Sequence, residues 1–299
     1  MKVLFVGSGA FGLPTLAQLV KSNSCVGVVT SPDKPAGRNR SMTPTKIATF
    51  AIEHDLLLLR TDDINSDESQ QWLDGKAFDI LVVIAFGQKL SDELTSKYKA
   101  INLHASLLPR WRGAAPIHAA IVHGDHETGI SVITLASQMD AGLVLAQTST
   151  TIGEQETTGE LHDRLAQMGP SLIEEVLDGE FSGDEQPESQ VTCAPKLSRE
   201  DAILDLNLTA DEIARKIRGF SPWPGCHLYF GEIDCKIMNA VAVDGEGAVG
   251  EILENSTIAV GQGAISIMTL KPAGSGAMGW KDFCNGRSIQ VGDRCEATP

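Results

Sequence analysis

Two polar side chains, Asn102 and His104, stand two residues apart at the end of an apolar segment. Residues two apart on a β-strand project from the same face, so a strand here would present the amide and the imidazole side by side. An amide NH2 can donate to an oxygen that gains negative charge, and a histidine can donate a second bond or move a proton near neutral pH. The pair therefore predicts a catalytic site, although a histidine alone is more often a core residue satisfied by a neighbour.

Asp140 is a third residue that could take part in this chemistry. It lies in a loop between two apolar segments and precedes Gly142 by two positions. A carboxylate there could hold His104 as an imidazolium or relay a proton through water. The competing interpretation is an ordinary turn aspartate, which is common near glycine, and for the residue taken alone this interpretation is favoured.

Three other arrangements compete with this hypothesis. Ser106 could complete a hydrolytic triad with the histidine and the aspartate, but no G-x-S-x-G elbow surrounds it. His123 and His126 lack the i, i+4 spacing of a helical metal pair, so we expect no metal site. Gly7–Gly12 fits the dinucleotide pattern G-x-G-x-x-G, yet the acid that such a site needs at the end of the second strand is absent. That segment is either an incomplete NAD(P) site or a tight turn that needs glycine.

The elements that must position these residues alternate between strand and helix through the first half of the chain. Ile80–Ala85 is a continuous apolar run typical of a central parallel strand, and Phe11–Val20 and Gly159–Leu177 have helical periodicity. This alternation predicts an α/β fold with a Rossmann-like, doubly wound parallel sheet. Ligands of such sheets bind outside the carboxyl ends of the strands, where Asn102 and His104 would lie.

The pattern changes after about Leu204, where glycines separate short strands, including Cys235–Val243 and Gly247–Glu254. This predicts a small C-terminal β-barrel of the OB-like kind. Gly179–Glu188 is polar, acidic and rich in residues that interrupt regular structure, so it is the best boundary between the two parts. We therefore expect a catalytic domain at residues 1–188, a linker at residues 189–203 and a barrel domain at residues 204–299.

Composition excludes several classes of protein. Hydrophobic residues make up 42% of the 299 residues, which is too much for a disordered chain. No apolar run approaches the roughly 20 residues of a membrane span, and the first residues lack the apolar length of a signal peptide. The six cysteines include no Cys-x-x-Cys pair, which suits a reducing compartment. We therefore expect a cytoplasmic protein without a membrane partner.

The net charge of −15 argues against a nucleic-acid partner, because proteins that bind nucleic acids are usually basic. Two stretches depart from this acidic balance, since no acid lies between Asp33 and Glu53 or between Lys99 and Asp125. The basic residues in these stretches are either an ordinary fluctuation of a charged surface or a docking surface for an anionic substrate.

At Asn102, His104 and Asp140 the sequence resembles the formyltetrahydrofolate-dependent transferases, whose signature asparagine, histidine and aspartate these residues match. Arg110–Pro116 is similar to the form found in the branch of that family that acts on initiator tRNA. Phe220–Gly225 resembles the entry to the C-terminal domain of that branch. The resemblance extends over nearly the whole chain.

The resemblance implies transfer of the formyl group of 10-formyltetrahydrofolate to the α-amino group of methionyl initiator tRNA, with the three signature residues as catalysts and no metal. It implies that folate is bound by Ser106, Leu107, Leu108, Pro109, Ile84 and Gly87. It implies that tRNA is contacted by Lys34, Arg38, Arg40 and Lys196. Folate and the charged tRNA are the expected partners, and we expect the chain to act as a monomer.

The sequence also departs from the family pattern. Ala105 stands where the family has glycine, which is tolerated if the backbone angles there are ordinary. Residues 200–299 carry 8 basic and 14 acidic side chains, a balance of −6, which is unusual for a tRNA-binding barrel. The alternatives that remain open are a formyltransferase for a nucleotide-linked amino sugar or for glycinamide ribonucleotide, an NAD(P)-dependent oxidoreductase, and a catalytically inactive tRNA-binding module.

Overall fold

The computed structural model of the protein describes residues 1–37, 40–254 and 257–298. The chain forms two compact units, and each is assembled from three stretches that are not contiguous in sequence. The sheet unit comprises Met1–Gly113, Gly129–Thr150 and His162–Cys193. The barrel unit comprises Ala114–Thr128, Thr151–Leu161 and Ala194–Pro299. Within the described ranges, no helix combines the length and the hydrophobicity that a membrane span requires.

The strands, in chain order, are β1 Val3–Gly7, β2 Cys25–Thr30, β3 Lys34–Ala36, β4 Ser41–Thr43, β5 Leu58–Arg60, β6 Ile80–Ile84, β7 Ala100–His104, β8 Arg112–Gly113, β9 Glu127–Thr134, β10 Val144–Thr151, β11 Cys193–Ala194, β12 Cys226–Phe230, β13 Ile233–Val243, β14 Ile258–Ala259, β15 Ala264–Pro272, β16 Met278–Gly279 and β17 Cys295–Glu296. The α-helices are α1 Leu13–Lys21, α2 Lys46–Glu53, α3 Asp67–Asp74, α4 Asp92–Lys97, α5 Pro116–Val122, α6 Thr158–Asp178, α7 Ala210–Gly219 and α8 Trp280–Arg287. Single turns of 3-10 helix occur at Ala10–Gly12, Glu188–Gln190 and Glu200–Ala202.

The sheet unit is built on a seven-stranded sheet in the order β10-β9-β7-β6-β1-β2-β5. β1 pairs in parallel with both β2 and β6, and β6 pairs in parallel with β7. β9 runs antiparallel to β7 and begins a short antiparallel edge. β1 and β6 are buried along their whole length, as apolar strands covered on both faces must be. The prediction of a Rossmann-like parallel sheet is confirmed.

The barrel unit contains a curled antiparallel sheet in the order β14-β15-β13-β12-β17, with β16 paired to β15. Glu251 and Ile252 close the curl, because Ile252 bridges to β14 and Glu251 bridges to Arg294, the residue before β17. Only glycine fits at position 250, because φ of Gly250 is 83° and a Cβ atom there would lie 2.4 Å from the carbonyl oxygen of Cys295. The predicted small C-terminal barrel is confirmed.

Some elements differ from the predicted pattern. The expected strand at Gly247–Glu254 is wrong, because only Glu251 and Ile252 form bridges and the left-handed turn at Gly250 interrupts the extended chain. The hydrophobic pattern gives no sign of α3 and α4. Each begins at a capping serine, Ser66 or Ser91, and carries acids in its first turn, so local capping rather than a long apolar stripe defines it.

Candidate active site

Asn102 and His104 lie on β7, which is hydrogen-bonded between β6 and β9. Asn102 is in register with Val83 of β6 and Ile133 of β9, and His104 is in register with Ser131 of β9. Because the backbone is bonded on both sides, the strand cannot rotate about its axis. The alternation of side chains therefore keeps the amide and the imidazole on one face of the sheet.

The imidazole of His104 is only 6% exposed, and a backbone carbonyl fixes its orientation. Nε2 lies 2.9 Å from the carbonyl oxygen of Trp111. Because a carbonyl only accepts, Nε2 carries a hydrogen and donates it. Nδ1 lies 3.6 Å from Oδ2 of Asp140. Nδ1 is therefore the ring atom at which a proton can be gained or lost, and it faces a carboxylate.

Asp140 reaches this position in a left-handed backbone conformation, with φ of 54°. Its Oδ2 accepts a hydrogen bond of 2.9 Å from the backbone N–H of Gly113. Two residues later, Gly142 lets the loop pass the neighbouring strand, because a Cβ atom there would lie 1.7 Å from the carbonyl oxygen of Thr134. Left-handed backbone at a residue other than glycine is uncommon, and such positions cluster at functional sites.

The side chain of Asn102 is half-buried, and it forms no hydrogen bond with any residue in the described part of the chain. Its NH2 group is thus available to an oxygen of a bound molecule. The structure places this amide, the imidazole of His104 and the carboxylate of Asp140 within one small region of the sheet unit. Together they can donate to an oxyanion and move a proton.

A buried side chain outside the predicted set contacts the Asp140 loop. Gln186 is 8% exposed, and its Nε2 donates to the carbonyl oxygens of Asp140 and Gly142, each at 2.8 Å. Its Oε1 accepts from Nε of Arg112 at 2.9 Å. The remaining guanidinium nitrogens of Arg112 donate to Oε1 of Glu188 at 3.1 and 3.0 Å. Arg112 belongs to the second acid-free stretch, but it is buried and paired, so it cannot dock an anionic substrate.

Ser106–Pro109, here called the folate segment because the sequence predicts that it binds folate, follows β7 after Ala105 and is held by side chains of β9 and β10. Oγ of Ser131 donates to the carbonyl oxygen of Ser106 at 2.6 Å and accepts from the amide of Leu108 at 3.1 Å. Nε2 of Gln147 donates to the carbonyl oxygen of Leu108 at 2.9 Å. Ser106 itself is buried, and its hydroxyl donates to a backbone carbonyl four residues later. It is therefore not poised as the nucleophile of a triad.

Ile84 and Gly87 lie at the carboxyl end of β6. Ile84 is fully buried, backbone included, whereas Gly87 is exposed with φ of 82°. Between them, the carbonyl oxygen of Ala85 accepts the amides of Ser8 and Gly9 at 3.2 and 3.0 Å. In a G-x-G-x-x-G turn that binds a dinucleotide, these backbone N–H groups would donate to the phosphate, but here they already donate to Ala85. The glycine motif is therefore a packing turn against β6, and the NAD(P) interpretation loses its support.

The residues expected to contact tRNA are exposed where the structure describes them. Lys34 lies in β3, and Arg40 lies in the turn that joins β3 to β4, with φ of 48°. Lys196 is exposed in the barrel unit. Arg38 lies outside the described residues. Asp33, the acid that precedes this hairpin, pairs with an arginine of β5 at 3.2 Å, so the hairpin keeps its positive charge.

Ala105, which stands where the resembled family has glycine, is not among the residues with positive φ. The backbone there is of the ordinary kind that any residue adopts, so the methyl group needs no special accommodation. Across the described ranges, no three histidine, cysteine, aspartate or glutamate side chains come together as metal ligands would.

Comparison with known sequences finds family models that match both parts of the chain. A family model described as "Formyl transferase" matches residues 1–177, and a second, "Formyl transferase, C-terminal domain", matches residues 196–288. The methionyl-tRNA formyltransferase of Methylococcus capsulatus is 36% identical over 301 residues, which cover 97% of this chain and 98% of that protein.

Solved structures support the same fold. HypX from Aquifex aeolicus, in complex with tetrahydrofolic acid, has a TM-score of 0.67 at 17% identity and covers 97% of this chain and 48% of its own. The N-formyltransferase from Helicobacter canadensis, in complex with folinic acid and dTDP-3-aminofucose, has a TM-score of 0.64 at 14% identity and covers 89% of this chain and 97% of its own. At these identities the likeness is one of fold alone.

Proposed function

The chain belongs to the formyl transferase family, and we propose that it transfers the formyl group of 10-formyltetrahydrofolate to the α-amino group of methionyl initiator tRNA. The observation that carries this proposal is the 36% identity to a methionyl-tRNA formyltransferase over 97% of the chain. The product, N-formylmethionyl-tRNA, serves translation initiation. The arrangement of Asn102, His104 and Asp140 supports the chemistry that this reaction needs.

Asn102 and His104 stabilise the oxyanion of the tetrahedral intermediate. When the amine attacks the formyl carbon, the formyl oxygen gains negative charge, and a donor that is already oriented stabilises this charge without reorganisation. The Asn102 amide has no competing partner in the described part of the chain, so it can donate to this oxygen. His104 adds positive charge on the same face of the sheet when Nδ1 is protonated.

Asp140 helps to move the proton that must pass from the attacking amine to the departing folate nitrogen. Its Oδ2 lies 3.6 Å from Nδ1 of His104, where it stabilises the imidazolium and can relay a proton through water. This separation is longer than a hydrogen bond, and such catalytic contacts often tighten when substrate binds. The mechanism needs no covalent enzyme intermediate.

The donor is bound beside the folate segment. Ser106, Leu107, Leu108 and Pro109 line one side of it, and backbone groups of Ile84–Gly87 and Met139–Asp140 meet the pterin ring. The hydrogen bonds of Ser131 and Gln147 to the folate segment support this assignment. A segment that is already held rigid loses little conformational entropy when it binds the donor.

Four basic residues bind the tRNA backbone in this proposal: Lys34, Arg38, Arg40 and Lys196. Replacing Lys34 and Arg40 together by alanine should weaken tRNA binding and reduce the slope of log affinity against log salt by about 1 for each lost phosphate contact. Lys21→Ala, an exposed lysine of α1, is the matched control. An equal decrease of the slope in the control would mean that the hairpin has no special role.

We assign catalysis to the domain at residues 1–188 and tRNA binding to the domain at residues 204–299, with a linker at residues 189–203. We also expect the protein to be cytoplasmic and monomeric. Light scattering during size-exclusion chromatography tests the oligomeric state, and a particle of twice the mass of one chain would contradict the expectation.

The deciding experiment supplies the purified protein with 10-formyltetrahydrofolate and three acceptors in separate reactions: methionyl initiator tRNA, methionyl elongator tRNA and a nucleotide-linked amino sugar. We expect formylation of the initiator tRNA above both others. A folded His104→Ala variant identifies any contaminating activity. Formylation of the amino sugar alone would refute the proposed acceptor, and absence of formylation with intact tRNA binding would favour an inactive binding module.

A further inference from the structure

We propose that Gln186 is a positioning residue for formyl transfer, which holds Asp140 in place so that its carboxylate faces His104. This inference rests on the function proposed above. Gln186 lies in the polar segment that follows α6, and its side chain is buried against the Asp140 loop. Both ends of its amide are used within this one network.

The orientation of the Gln186 amide is determined by its neighbours. A guanidinium can only donate, so the atom 2.9 Å from Nε of Arg112 must be the oxygen Oε1. The nitrogen Nε2 must then face the carbonyl oxygens of Asp140 and Gly142, which can only accept. A flipped amide would break all three hydrogen bonds at once. The network therefore has one stable arrangement.

The two carbonyls that Gln186 binds lie on either side of Ala141, so one side chain restrains the turn at both ends. The restraint helps to hold Asp140 in its left-handed conformation, which costs free energy at a residue other than glycine. The carboxylate is held separately by the backbone N–H of Gly113, which is the residue after Arg112. The backbone of Asp140 is thus fixed by Gln186, which is bonded to Arg112, and its carboxylate is fixed by the next residue, Gly113.

Packing alone does not explain the hydrogen bonds among Arg112, Gln186 and the Asp140 loop. A buried glutamine and a buried arginine cost more to desolvate than apolar residues of the same size, so their hydrogen bonds must serve a specific geometry. The geometry that they determine is the position of Oδ2 relative to Nδ1 of His104. A displacement of about 1 Å at a reacting group can lower a rate by up to about a hundredfold.

The test is a double-mutant cycle of Gln186→Met and Asp140→Asn, measured by single-turnover formylation of methionyl initiator tRNA. Methionine keeps the length of glutamine and removes every hydrogen bond. We expect Gln186→Met to lower the rate by about ten- to a hundredfold while the KM values for donor and tRNA change by less than about threefold. In the Asp140→Asn background the same substitution should lower the rate by less than about twofold, since the carboxylate on which it acts is gone.

Glu188→Gln is the matched control, because it removes charge from the exposed end of the Arg112 network and leaves Gln186 untouched. It should formylate at close to the wild-type rate. Equal losses from Gln186→Met in both backgrounds, with unchanged thermal melting, would overturn the inference. A wild-type protein that does not formylate the tRNA would instead refute the proposed function, so the two failures are distinguishable. A melting temperature lowered by Gln186→Met together with an additive rate loss would show a merely structural role.

Discussion

The substitution Asn102→Ala removes a side chain that forms no hydrogen bond within the described part of the chain. No buried donor or acceptor loses its partner, so we expect the free energy of unfolding to change by less than about 1 kcal/mol. The catalytic effect should be larger, because one preorganised donor to an oxyanion lowers the barrier by roughly 3 kcal/mol. That barrier change corresponds to a decrease of kcat on the order of a hundredfold.

Single-turnover formylation with saturating donor isolates the chemical step, and thermal unfolding of the same samples reports stability. Asn285→Ala is the matched control, since it makes the same chemical change at an exposed position of α8. Both its rate and its melting temperature should stay close to those of the wild type. His104→Ala would separate the effect on rate from the effect on stability less well, because it also removes the hydrogen bond to the carbonyl oxygen of Trp111.

Two outcomes would refute this reasoning. A rate for Asn102→Ala within about threefold of the wild type would mean that the amide does not contact the oxyanion, and the mechanism would then need another donor. A large fall in melting temperature would mean that the amide stabilises the fold.

The remaining predictions concern the surroundings of the site and the barrel unit. Ser131→Ala removes the hydroxyl that holds the folate segment, and KM for the donor should rise by about three- to tenfold in steady-state assays, with kcat less affected. Gly142→Ala should lower the free energy of unfolding by about 1–3 kcal/mol, whereas Gly286→Ala, in open space on α8, should raise it by about 0.5–1 kcal/mol; equal denaturant midpoints would contradict this contrast. Burial raises the pKa of Cys226 and of Cys295 from 9.0 to about 12. The unfolded chain therefore loses these protons first, and the free energy of unfolding should fall as pH rises from about 9 towards 12; a flat profile would argue against burial.

The parallel sheet could be predicted because its central strands are continuous apolar runs. Such runs are typical of strands that are buried on both faces, as in a parallel sheet covered by helices. Asn102 and His104 could be paired from spacing alone, since the period of a strand is two residues. Asp140 could not be joined to them in this way. Its approach to His104 depends on a left-handed turn and on contacts with Gly113, both of which are set by tertiary structure.

The role proposed for Gln186 could not be predicted from the sequence either. It lies within Gly179–Glu188, which is rich in acids and breakers and for that reason indicates an exposed boundary. In the structure most of this segment is exposed, but Asp184 pairs with Val144 at the start of β10, and the side chain of Gln186 is buried. Polarity in a sequence does not distinguish a solvated side chain from a buried one whose hydrogen bonds are all satisfied.

The interleaved composition of the two units has a consequence for synthesis on the ribosome. α5 belongs to the barrel unit and packs against α7, with Val122 beside Gly219, yet about 90 residues of chain separate the two helices. At roughly 5–20 residues per second, the apolar face of α5 waits about 5–20 s for its partner. By contrast, every stretch of the sheet unit has been made once Cys193 emerges. The nascent chain therefore passes through a period in which the sheet unit can fold while α5 still lacks its partner helix, and apolar surface exposed during folding favours aggregation.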